Sequence, residues 1–141
     1  MPQYKLHKLQ LVQNNAARLI SCVRRDVHIT PVLHQLHWLP VKSCIMYKML
    51  SFMHQAIHHE NAPVYLKNFV TFYKPARNLR SASDPTILCV PKTRRRVGES
   101  SFQAMGAKLW NNLPLDIRSI RSKDSFKGLL KTHLFRLAYN S

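Results

Sequence analysis

Charge constrains this chain before any local pattern does. Twenty-two Lys and Arg stand against six Asp and Glu, a formal net charge of +16 with histidine neutral. The acids are Asp26, Glu60, Asp84, Glu99, Asp116 and Asp124, scattered singly, so few of the cations can find a partner within the chain. Such a chain repels itself and is drawn to polyanions, meaning nucleic acid or an anionic membrane surface. Nucleic acid is the favoured partner, because neutralising phosphates releases counterions. Apolar residues make up 45% of the 141 positions, enough for one domain with its own core. No apolar run approaches the ~20 residues that would span a bilayer.

Hydrophobic periodicity places helices along most of the chain. Residues 4–23 read as an amphipathic helix with Leu9, Val12, Ala16, Leu19 and Ile20 on its inward face. Thr30 is expected to cap a short helix that runs to Leu36, with Pro31 at its first position. A longer helix is expected over Val41–His58, its stripe formed by Val41, Ile45, Met49, Phe52, Met53 and Ala56. Leu50 and Ile57 fall outside that stripe, so this helix is expected to be buried on more than one side. A short segment over Pro63–Val70 follows. Pro75 and the run Ser81-Ala82-Ser83-Asp84-Pro85 signal a loop over 71–83.

Ile87-Leu88-Cys89-Val90 is a short strand candidate, with 94–98 as its hairpin partner. Ser100 or Ser101 is expected to cap a helix ending near Asn111, and Pro114 to stop it. Ser122 opens the last helix, where Phe126, Leu129, Leu130, His133, Leu134 and Leu137 keep helical spacing. Phe135 falls opposite that face and is expected to be an exposed aromatic that marks a partner surface or packs against a neighbouring domain. The expected class is α+β and mainly α-helical, with about five or six helices and one small β-hairpin near residues 87–98. The domain expectation is a single unit over 1–141: helical over about 4–70, loop and hairpin over 71–98, helical again over 100–138.

The chemistry that these residues exclude is broad. Cys22, Cys44 and Cys89 are odd in number and widely spaced, which is no disulfide framework and points to a reducing compartment. No secretory signal opens the chain. Residues 1–25 hold Lys5, Lys8, Arg18, Arg24 and Arg25 with no acid, as a mitochondrial transit peptide does, but the whole chain is equally acid-poor. The expected location is therefore intracellular, nuclear or cytoplasmic. Cys22, His28, His34 and His37 lack the spacing of a zinc site. Gly98, Gly106 and Gly128 form no phosphate loop, no nucleophile elbow is present, and isolated acids cannot hold two metals. No cofactor and no self-contained catalysis are expected.

Basic patches carry more. Lys92, Arg94, Arg95 and Arg96 crowd into five positions, and if extended Lys92, Arg94 and Arg96 share one face. Lys74, Arg77 and Arg80 precede them, just after Phe69, Phe72 and Tyr73. Cations beside aromatics suit single-stranded or structured nucleic acid, since guanidinium groups bind phosphate and rings stack on bases. The competing reading makes Phe69 and Phe72 anchors of a solvated loop.

Several blocks then read together. Leu9-Gln10-Leu11-Val12-Gln13-Asn14-Asn15-Ala16-Ala17-Arg18, His28-Ile29-Thr30-Pro31-Val32-Leu33 and Leu36-His37-Trp38-Leu39-Pro40-Val41 come first. Ala62-Pro63-Val64-Tyr65-Leu66, Leu79-Arg80-Ser81, Val90-Pro91-Lys92-Thr93-Arg94 and Lys108-Leu109-Trp110-Asn111-Asn112-Leu113-Pro114 follow. Phe126-Lys127 and Leu130-Lys131-Thr132-His133-Leu134-Phe135 close the series. In order and spacing, from about Leu6 to Ala138, these blocks resemble the C-terminal region of reverse transcriptases from LINE-type (non-LTR, jockey-like) retrotransposons.

That region lies downstream of the polymerase palm and thumb in the family. The family's catalytic aromatic-x-Asp-Asp motif has no counterpart here, since the chain contains no Asp-Asp pair. The endonuclease domain and the cysteine-rich knuckle of some members are missing as well. The resemblance therefore implies a non-catalytic tail fragment of an RNA-directed DNA polymerase, from a truncated copy or the end of a longer frame. Its expected role is RNA or DNA binding through Arg77, Arg80, Lys92, Arg94, Arg95 and Arg96. The alternatives are a surface that packs on a reverse-transcriptase core, or a non-functional remnant. Trp38 and Trp110 are the expected core anchors, each in a Leu/Pro-flanked block.

Overall fold

A computed structural model describes residues 3–74 and 85–139, the Arg96 side chain excepted. Eight helices are present among them: α1 Gln3–Ile20, α2 Ile29–Gln35, α3 Val41–His58, α4 Val64–Lys67, α5 Arg96–Glu99, α6 Phe102–Asn111, α7 Leu115–Arg118 and α8 Lys123–Tyr139. The mainly helical class holds. The chain divides into two compact units: Met1–Tyr47 with Leu130–Ser141 (unit 1), and Lys48–Leu129 (unit 2).

In unit 1, α1 reverses the expected orientation. Leu9, Val12, Leu19 and Ile20 are exposed, and Ala17 is the buried residue of the helix. The polar side faces the protein instead. Gln13 Nε2 donates to the Leu39 carbonyl at 2.8 Å, and the Val41 N–H donates to Gln10 Oε1 at 2.9 Å. Gln10 Nε2 in turn donates to Gln13 Oε1 and Asn14 Oδ1 at 2.8 and 2.9 Å. The first N–H groups of a helix have no partner within it, and Gln10 supplies one to the start of α3. Ala17 packs with Val32 and Leu33, flanked by Val23, Ile29, Leu36, Trp38 and Tyr139. Trp38 is thus half-buried at the edge of this core, and its carbonyl accepts from the Tyr139 hydroxyl.

Helices α1 and α2 end alike. Val23 N–H bonds to the Arg18 carbonyl at 3.1 Å, and Trp38 N–H to the Leu33 carbonyl at 2.9 Å. Each six-to-one bond requires a left-handed residue before it, and the chain uses Cys22 (φ 51°) and His37 (φ 54°) where glycine is usual. Helix α2 starts two residues earlier than expected, after an N-cap at His28. Pro31 still lies in its first turn, where a missing N–H costs nothing. Phe135 is not an exposed marker: its ring lies 5.0 Å from His34, 5.7 Å from His37 and 4.6 Å from Tyr139. The aromatics draw that side of α8 inward, while Leu137 is exposed.

Unit 2 is built on Trp110, Phe126, Leu50, Met53 and His54, all essentially without solvent contact. The buried side of α3 is therefore Leu50, Met53, His54 and Ala56, and Phe52 of the expected stripe is exposed with Lys48 over its ring at 5.1 Å. Gly106 allows α6 to approach Met53 closely: a Cβ there would lie 2.9 Å from the Met53 sulfur. Ser101 caps α6, its Oγ accepting from Ala104 N–H at 3.3 Å. Pro63 and Pro114 each precede one helical turn, α4 and α7. Pro114 thus begins an element as well as following one.

The expected hairpin over 87–98 is not formed. Leu88 pairs in an antiparallel bridge with Phe72, through Tyr73 N–H to the Ile87 carbonyl at 2.9 Å and Cys89 N–H to the Thr71 carbonyl at 2.7 Å. The other edge of Leu88 is taken by a side chain. Asn111 Oδ1 accepts from Leu88 N–H at 2.9 Å, and Asn111 Nδ2 donates to the Leu88 carbonyl at 2.8 Å. With both edges occupied, 94–98 has no strand to join, and Arg96–Glu99 closes into a helical turn.

Candidate nucleic-acid interface

The sequence singles out a basic run and, some twenty positions before it, an aromatic run. The Phe72–Leu88 bridge joins their backbones within unit 2. Phe72 and Tyr73 are exposed on one side of that pairing. Cys89 leads from the other side into Lys92, Arg94 and Arg95, all exposed. Phe69 is also exposed but meets the Phe102 ring at 6.1 Å, edge to face, so it is partly an anchor. Phe69 is thus partly packed on Phe102, whereas Phe72 and Tyr73 are exposed.

One site expectation changes and another lies outside what is described. The basic run is not extended through Arg96, because Glu99 N–H bonds to the Arg95 carbonyl at 3.2 Å and Arg96 opens α5. Lys92, Arg94 and Arg96 therefore do not share one face of a strand. Arg77 and Arg80 lie outside the described residues.

Sequence reading overlooked the histidines at the end of α3 and just after it. His54, His58 and His59 lie within six positions, and the signal available was that density alone. His54 is buried and stacks on Phe126 at 4.0 Å. Its Nε2 lies 2.7 Å from the Ile120 carbonyl, which places the proton on that nitrogen. Burial pushes its pKa down to about 4 against the opposing pull of that hydrogen bond, and His58 and His59 push the same way. Burial likewise lowers the pKa of His58. Both rings are neutral at pH 7, which fits a core role.

His58 also lines a cleft of about 420 Å³ with Phe72, Thr86, Trp110 and Arg121. Of its aromatics Phe72 is exposed and Trp110 fully buried, and the exposed Arg121 supplies a cation. A flat ring with an attached anion suits that combination. No three His, Cys, Asp or Glu side chains converge as a metal site among the described residues. No helix among them is long and apolar enough to cross a membrane.

The chain matches no protein-family model, no curated protein and no solved structure.

Proposed function

We propose that this chain is a non-catalytic tail of a LINE-type reverse transcriptase, and that its unit 2 binds single-stranded RNA or DNA. The observation that carries the binding reading is the Phe72–Leu88 bridge, which links exposed aromatics to the run of exposed cations at Lys92, Arg94 and Arg95. Stacking rings and phosphate-binding cations close together are what a single strand requires. The net charge of +16 supplies long-range attraction, in the nucleus or the cytoplasm. The family resemblance adds the context of a polymerase that copies RNA into DNA, with catalysis residing in that polymerase.

The test is fluorescence anisotropy of labelled single-stranded RNA and DNA oligonucleotides across a range of salt. Affinity is expected to fall steeply with salt, by a slope of about 0.7 per contacted phosphate. Changing Lys92, Arg94 and Arg95 together to Ala is expected to lower that slope by about 2. Phe72→Ala is expected to weaken binding by about 1–3 kcal/mol without changing the slope. Absent binding at low salt, or a slope untouched by the triple change, overturns the reading.

A further inference from the structure

The exposed side of α1 has the chemistry of a docking seam. Leu9, Val12, Ala16 and Leu19 are spaced three, four and three residues apart, and Ile20 extends the edge. That spacing is the seam of a two-helix coiled coil. Leu9 is 45% exposed, Val12 66%, Leu19 80% and Ile20 61%. Gln10 and Gln13, bonded to Val41 and Leu39, keep the helix from rolling to bury them. An apolar seam held outward by a polar anchor is the reverse of what an isolated helix would choose.

Charge decides the occupant. Lys5 continues the seam one turn before Leu9, and Lys8, four residues before Val12, lies at its edge. Arg18 lies in the last turn of the helix, and Arg24 and Arg25 follow it. No acid occurs before Asp26. A second copy would set these cations against one another in either direction. A lipid surface suits a helix with bulky aromatics on its apolar face, whereas this seam has Ala16 at its centre and no aromatic. A small central residue instead admits the knob of a facing helix. Nucleic acid gains nothing from an apolar stripe.

We infer that α1 docks an acidic amphipathic helix of another polypeptide, its apolar residues in the Leu9–Val12–Ala16–Leu19 seam and its carboxylates against Lys5 and Lys8. The seam belongs to unit 1 and the basic run to unit 2, so this inference and the nucleic-acid reading can fail separately.

The probe is a synthetic helix of about three heptads with Leu at the core positions and Glu at the flanking ones, titrated by calorimetry against the full chain. A matched helix with Lys at the flanking positions, and phosphatidylglycerol vesicles, are titrated in parallel. The expected result is binding of the acidic helix alone, weakened about tenfold or more at high salt. Val12→Lys and Leu19→Lys are each expected to reduce it about tenfold or more while the circular dichroism of the chain stays unchanged. Failure to bind the acidic helix, equal binding of the basic one, or preference for the vesicles overturns the inference. Dimerisation of the chain that Leu19→Lys abolishes overturns it too.

Discussion

The Asn111 carboxamide stands in for a β-strand beside Leu88. It accepts from the Leu88 N–H at 2.9 Å and donates to the Leu88 carbonyl at 2.8 Å, while Phe72 pairs with the opposite edge. The adjacent Trp110 donates its indole N–H to the Thr86 carbonyl at 3.0 Å. Two consecutive residues of the Leu-Trp-Asn-Asn-Leu-Pro block thus clamp the 86–88 segment to α6. If the Phe72 surface binds nucleic acid, this clamp is what holds it in place.

Asn111→Ala leaves both backbone groups of the buried Leu88 without partners. Each such group costs about 1–3 kcal/mol, so a total loss of about 2–6 kcal/mol is expected in urea unfolding. Asn111→Asp keeps the acceptor and loses the donor, and should fall between. A loss below about 0.5 kcal/mol for the alanine variant would show that the clamp does not hold the segment.

Stability should depend on His54. Its pKa is about 4 when folded, against 6.5 for a free imidazole. Between those values the unfolded chain takes up a proton that the folded chain refuses. Stability should therefore fall as pH drops from about 6.5 towards 4, and this residue should contribute no slope above that window. The depressed pKa of His58 acts in the same direction. His54→Gln keeps an N–H donor for the Ile120 carbonyl and should flatten part of the slope. Thermal melts at pH 7, 6 and 5 check it, and an identical slope in the variant would contradict it.

Cys22 occupies a left-handed position that glycine adopts freely. Its side chain is exposed and makes only a 3.9 Å contact with the Leu19 carbonyl. Cys22→Gly is expected to stabilise the chain by about 1 kcal/mol, read as a rise in melting temperature. A lower melting temperature would mean that the α1 terminus is not left-handed.

The two sides of α1 should respond oppositely to substitution. Gln10→Leu adds an apolar residue but takes the acceptor from Val41 N–H, and is expected to cost about 1–2 kcal/mol. Leu19→Lys removes an apolar residue from an exposed site and is expected to stay within about 0.5 kcal/mol of the parent. The reverse order in urea unfolding would place the seam in the core.

Much of the helical frame is legible in the sequence. The Ser101 cap, the Pro63 start and the long periodic runs are local signals, and α2, α3, α6 and α8 fall close to where those signals put them. The single turns α5 and α7 have no such signal, since four residues are too few to show a period. The candidate site was half legible: composition flags the basic run, yet nothing local says that Phe72 pairs with Leu88.

What sequence alone determined is the charge, the helical periodicity and the caps, because each depends on residues within a few positions of one another. Tertiary structure decided which face of each helix is buried. Periodicity marks an apolar stripe on α1, but Gln10 and Gln13 bond to backbone groups of Val41 and Leu39, some thirty residues away, and those hydrogen bonds turn the stripe outward. Likewise Leu88 is strand-like in any context, and only the arrival of Asn111 on one edge and Phe72 on the other settles what it pairs with. A buried polar group must find a partner wherever the fold supplies one, and that demand acts across distances that no local pattern records.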